Sequence, residues 1–155
     1  MKFSVFAAAL AASVFAMPLA SQARDLTVGL SASTTSMDPQ FYVVGPNSAM
    51  ARNIFDGLVN QDDKQQIQPA LAVSWTIVDD TTWEFKLREG VKFHDGSDFT
   101  AEDVVANIKR IPLASTNSPS SFAAYVKAIT EVTAVDPLTV RIKTASPTPL
   151  LLNNL

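Results

Sequence analysis

The chain has 155 residues, with 12 basic and 15 acidic side chains, one histidine, no cysteine and a formal net charge of −3. A nucleic-acid partner is excluded, because neutralising a phosphate backbone needs clustered Lys and Arg, and no such cluster interrupts this sequence. The missing cysteines exclude a disulfide framework and a lipid-bearing cysteine behind a leader.

The first element is a leader. Met1-Lys2 precedes an apolar run over residues 3–20, broken by Ser4, Ser13 and Pro18 and followed by Ser21-Gln22-Ala23. A basic start, a short apolar centre and small residues three and one before the cut form a secretory signal, so cleavage is expected after Ala23. The run falls short of the ~20 apolar residues that span a bilayer. Removing Lys2 makes the remainder, 24–155, one charge more negative, and its length suits one ordinary domain with its own core. A periplasmic location is expected. The closing stretch TPLLLNNL is apolar, with no cap and no polar tail, so a cut at Leu155 is expected rather than a natural end.

Residues 25–30 alternate, with Leu26, Val28 and Leu30 on one face, which predicts a short strand entering the loop SASTTSMDPQ. Asn47 is the expected N-cap of a helix whose apolar stripe runs through Met50, Ala51, Ile54, Phe55 and Leu58, with Gly57 as its stop. A polar turn, DDK, follows.

From Ala72 the pattern changes to strands. In TWEFKLRE, Trp83, Phe85 and Leu87 share one face and Glu84, Lys86 and Arg88 the other, which predicts a half-buried strand of an antiparallel sheet. Asp79-Asp80, Glu89-Gly90 and His94-Asp95-Gly96 read as its corners. Thr100 and Asp103 resemble a capping box with Asp in place of Glu, so a helix begins at Ala101. Val104, Val105, Ile108 and Ile111 form its buried stripe, Lys109 and Arg110 sit at its carboxyl end, and Pro112 halts it. The polar stretch at 115–121 is a loop, a short amphipathic helix is expected over 122–129, and EVTAV and LTVRIKT flank Asp136-Pro137 as a hairpin with Leu138, Val140 and Ile142 facing inward.

Few of these residues have the makings of a reaction centre. A metal at His94 would need a second imidazole or a closed carboxylate cluster, so His94-Asp95 reads first as a turn, with a metal or catalytic role as the competing reading. Serines are plentiful, but no Gly-x-Ser-x-Gly elbow accompanies them. The pairs Asp62-Asp63 and Asp79-Asp80 have the residue type for glycoside hydrolysis and the setting of solvated turns. Trp83 belongs to a core face, while Trp75 suits either packing or ligand stacking.

The succession SMDPQ, NIFDGLV, QPALAVSW, TWEFKLREGVKFHDGSDFTAEDVV and VDPLTVRIKTASPTPLLLNNL resembles the opening of bacterial extracellular solute-binding proteins of family 5, the dipeptide, oligopeptide and nickel-binding receptors of ABC importers. The resemblance covers essentially all of 24–155. It implies a mixed α/β fold of the two-lobed periplasmic-binding-protein type II class, with a mixed sheet, a short antiparallel meander and flanking helices. By the same resemblance, 24–155 are expected to be part of the first lobe, with the second lobe absent. It also implies a monomeric, non-enzymatic binder of a peptide or similar solute, working with an inner-membrane ABC permease and needing no cofactor or metal. The loop between DPQ and the first helix would line the cleft and pair its backbone with an extended ligand, which assigns ligand contact to Tyr42, Val43, Val44, Gly45 and Asn47. The apolar character of Tyr42, Val43 and Val44 favours something lying over that connection, with an ordinary surface loop as the plainer reading. Two other functional readings stay open: a truncated product with no function of its own, and an exported hydrolase or metal protein using His94.

Overall fold

The computed structural model describes residues 25–29, 31–41, 43–114 and 122–155. The expected leader, Leu30, Tyr42 and the loop at 115–121 lie outside them. In chain order the elements are α1 (Gly45–Ala51), β1 (Val59–Gln61), β2 (Ile67–Pro69), β3 (Ala72–Asp79), β4 (Thr82–Leu87), α2 (Ala101–Ala114), α3 (Ala123–Val126), β5 (Ile129–Asp136), β6 (Thr139–Thr144) and a 3-10 turn, Leu151–Asn154. No helix among the described residues is long and apolar enough to cross a membrane.

Strands β1 and β2 make a small hairpin, and β3-β4-β6-β5 form a four-stranded sheet. Every strand pairing among the described residues is antiparallel. After β4 the chain leaves the sheet through α2 and α3, returns at the far edge as β5, and turns back so that β6 lies against β4. This order puts the two strands with the most apolar inward faces side by side: Trp83 opposes Ile142, and Phe85 opposes Val140.

One face of the sheet is dry. The Trp83 and Phe85 rings stack with centroids 6.5 Å apart, and Ala101, Val104, Val105 and Ile108 of α2, together with Phe99 and Leu151, join them in one buried cluster. Phe85, Val140, Ile142 and Leu151 are all 0% exposed, and each such side chain contributes roughly 1.5–3 kcal/mol on leaving water. The other face is charged. Glu84 accepts from the facing Arg141 at 2.7 Å and has Lys86 Nζ 3.5 Å away. The expected face partition of TWEFKLRE is thus observed.

The polar corners share one device, an aspartate accepting the N–H two residues on. Asp62 takes Lys64 N–H at 2.9 Å, Asp79 takes Thr81 at 2.9 Å, Asp95 takes Ser97 at 2.9 Å and Asp136 takes Leu138 at 2.8 Å. Hydrogen bonds to these carboxylates favour the charged form and hold all four below the ordinary aspartate value. The chief partner is the Gln66 N–H for Asp62, the Thr81 N–H for Asp79, the Ser97 hydroxyl for Asp95 and the Thr139 hydroxyl for Asp136. Gly96 closes the His94 corner at φ +88°, a conformation that side chains with a Cβ resist.

Helix α2 starts at Ala101 as expected, though its cap differs in one detail from the expected box. Asp103 Oδ2 accepts both the Thr100 N–H at 2.8 Å and the Thr100 hydroxyl at 2.9 Å. The Thr hydroxyl therefore donates to the acidic partner rather than accepting from the helix. Val104, Val105, Ile108 and Ile111 are buried as the stripe predicted.

Five expectations are corrected. Pro112 does not halt α2, which runs on to Ala114; a proline removes a single N–H, and the last turn behind it still closes on earlier carbonyls. Helix α1 spans only Gly45–Ala51, with Val44 at the N-cap and Pro46 in its first turn, where a fixed φ is already helical. Asn47 thus lies inside the helix, and Ile54 and Phe55 are exposed beyond it. Gly57 closes no helix; a Cβ there would stand 2.9 Å from the Val59 carbonyl oxygen and 3.2 Å from that of Leu155, so the glycine permits a close backbone approach. The helix expected over 122–129 is the single turn α3, because Ile129 is drawn into the ladder opposite Thr144. Residues 25–29 form no strand, and Leu26 is 87% exposed; alternation without a hydrogen-bonding neighbour does not make a sheet.

Candidate functional site

The segment between residue 31 and α1 has no ladder among its described residues to hold it, so side chains fix its course. Asn47, 4% exposed, accepts the Thr35 N–H at 3.0 Å through Oδ1, and its Nδ2 donates to Thr35 Oγ1 at 3.1 Å. Farther on, the turn at Asp38-Pro39-Gln40 closes on itself. Asp38 N–H donates to Ser36 Oγ at 3.0 Å, Gln40 N–H to Asp38 Oδ1 at 3.0 Å, and Phe41 N–H to the Asp38 carbonyl at 3.3 Å.

That turn is bound to α2. Gln40 Nε2 donates to Asn107 Oδ1 at 2.9 Å and to the Asn107 carbonyl at 3.3 Å. Arg110 Nη1 donates to Gln40 Oε1 at 2.7 Å and to Asp38 Oδ1 at 3.1 Å, while Nη2 donates to Asp38 Oδ2. The guanidinium holds the Asp38 carboxyl below its ordinary value, against the opposing effect of burial, and the carboxylate in turn raises Arg110. Asn107 and Arg110 are three apart on α2 and so project from one side of it.

The expected ligand-contact residues fall unevenly on this frame. Tyr42 lies outside the described residues. Val43 and Val44 are half-buried, and Val44 is extended at φ −134°, ψ 150°, with its carbonyl accepting Ser48 N–H at 2.9 Å. Gly45 is exposed, with nothing within 4 Å of where a Cβ would stand. Asn47 is committed to Thr35 and staples the loop. The Asp38, Gln40, Asn107 and Arg110 constellation did not emerge from the sequence, where Arg110 read as a helix-terminal charge. The one available signal was an Asn/Arg pair three apart on the polar side of a helix.

The competing site at His94 is an exposed turn. Its neighbour Asp95 accepts the Ser97 hydroxyl at 2.7 Å and the Ser97 N–H, so its carboxylate is occupied in shaping the corner. Among the described residues no group of three or more His, Cys, Asp or Glu side chains is arranged to hold a metal ion. Trp83 is core, and Trp75 is half-buried on edge strand β3.

The mixed α/β unit with its one-sided antiparallel sheet has the fold of the periplasmic-binding-protein type II class. Residues 66–155 match the family described as bacterial extracellular solute-binding proteins, family 5 Middle, and the chain belongs to that family. It is similar to the periplasmic murein peptide-binding protein MppA of Escherichia coli K12, at 34% identity over 133 residues, covering 76% of this chain and 25% of MppA. The unliganded open form of MppA superimposes with a TM-score of 0.69 at 33% identity, over 77% of this chain and 26% of that one. The glutathione-binding protein GsiB of the same organism is 35% identical over 132 residues, covering 84% of this chain and 25% of GsiB. NikZ from Campylobacter jejuni, solved in complex with Ni(L-His), has a TM-score of 0.70 at 28% identity, over 80% of this chain and 24% of that one. The chain thus spans about a quarter of the length of the curated relatives it matches. The relatives are binding proteins rather than enzymes, and they are named for different ligands.

Proposed function

We propose that this chain supplies part of the first lobe of the periplasmic substrate-binding component of an ABC importer, which captures a peptide or similar small solute for transport. Residues 1–23 are its export signal, and 24–155 belong to the lobe. The protein is a monomer that catalyses nothing and presents its loaded form to an inner-membrane permease. Tyr42, Val43, Val44 and Gly45 line the cleft, with Asn47 fixing the loop from behind.

The observation that carries this reading, beside family membership, is the clamped loop. Its turn is bonded to α2, and the chain beyond it reaches Val44 in extended geometry and Gly45 in open space. Extended geometry at Val44, next to a turn bonded to α2, suits the strand-like pairing by which an extended ligand is held. The test is calorimetric titration of the exported full-length gene product with trialanine, glutathione and Ni(II) with L-histidine. Saturable heat with one of the three is the expected result; no heat with any of them overturns the reading.

A further inference from the structure

We infer that Arg110, seconded by Asn107, is a positioning residue for ligand capture, so that α2 rather than the loop itself sets where Val43 to Gly45 stand; this rests on the proposed reading of those residues as cleft lining. Helix α2 is immobilised by Val104, Val105, Ile108 and Ile111, all buried. From the same helix Asn107 and Arg110 reach the Asp38-Pro39-Gln40 turn, 67 to 72 residues away in sequence. Gln40 is 6% exposed, so its end of the junction is buried, while the Asp38–Arg110 ion pair beside it is partly solvated.

The link needs arginine. One planar fork serves Gln40 Oε1 and both Asp38 oxygens, which fixes orientation as well as distance, whereas an ammonium offers a point charge without that fork. Two residues beyond Phe41 the chain is at Val43. A turn held this way limits where Val43 can stand, and a loop restricted before binding spares ordering entropy that a free one gives up on capture. Release of the turn should therefore weaken binding while the fold stays intact.

The experiment compares wild type, Arg110→Ala and Arg110→Lys in the full-length gene product by amide hydrogen exchange, and by titration with trialanine, glutathione and Ni(II) with L-histidine. Arg110→Ala is expected to speed exchange at residues 38–44 about tenfold or more, leave β4 and β6 unchanged, and weaken the probe that binds wild type about tenfold. Arg110→Lys is expected to fall between the two. A general structural role would instead loosen β4 and β6 together with the loop, and that outcome overturns the inference. So does unaltered exchange at 38–44 in Arg110→Ala, or a loosened loop with unaltered affinity. If wild type binds none of the probes, the proposed function fails and takes the ligand half of the inference with it. If wild type binds and the loop ignores Arg110, the inference alone fails.

Discussion

Gln40 donates through Nε2 to Oδ1 of Asn107 at 2.9 Å, joining a loop to a helix across 67 residues of chain. Gln40 is almost fully buried, and Asn107→Ala removes the side-chain acceptor that its amide bonds at 2.9 Å. The substitution is expected to destabilise the protein by about 1–3 kcal/mol. Urea unfolding should show the midpoint falling with the slope unchanged; an unmoved midpoint would mean that the bond contributes nothing net.

The Asp38–Arg110 pair has a pH signature. Because the Arg110 hydrogen bond lowers Asp38 in the folded protein, the pair's stabilisation is complete above the ordinary aspartate value and is lost as pH falls through the lower, folded value. Both side chains are partly solvated, at 29% for Asp38 and 50% for Arg110, so the effect is less than about 1 kcal/mol. The stability gap between wild type and Asp38→Asn should be widest at neutral pH and close in strong acid. A gap that stays constant from pH 7 to pH 2 would show that the pair is not its source.

The two central strands carry the core. Phe85 and Ile142 are both fully buried, so Phe85→Ala should lower stability by about 3–5 kcal/mol and Ile142→Val by about 0.5–1.5 kcal/mol. Thermal and urea unfolding of the pair of variants will rank them, and equal losses would contradict cavity formation as the cause.

The cap of α2 is isolated enough to test by itself. Asp103→Ala strips the Thr100 N–H and hydroxyl of their shared acceptor, with an expected loss of about 1 kcal/mol. Asp103→Asn keeps an oxygen there and should lose less, as read by urea midpoints.

At the His94 corner, Gly96 stands at φ +88° with open space around its Cβ position. Gly96→Ala is therefore opposed by backbone strain alone, about 1–2 kcal/mol. Gly45→Ala, also in open space and at the start of a helix without positive φ, should be neutral or slightly stabilising. Comparing the two separates strain from crowding, and equal effects would remove the conformational explanation.

What could be read from the residues alone was whatever repeats or punctuates locally. The two-residue alternation of β4 and β6, the stripe of α2, the aspartate corners and the Thr100/Asp103 cap each lie within a few residues of their partners, so side-chain spacing and turn chemistry specify them. The quoted run of motifs also sufficed to indicate the family.

Tertiary structure decided everything that depends on a distant neighbour. Residues 25–29 have the alternation of a strand and form none, since a strand exists only through the hydrogen bonds of another. Asn47 has the chemistry of a cap, yet Thr35 takes its amide. Arg110 has the look of a helix-end charge, yet the chain folds back to bring Asp38 and Gln40 beneath it. A contact spanning some seventy residues leaves no periodic trace in the sequence, because its two halves become neighbours only once the core has set the position of α2.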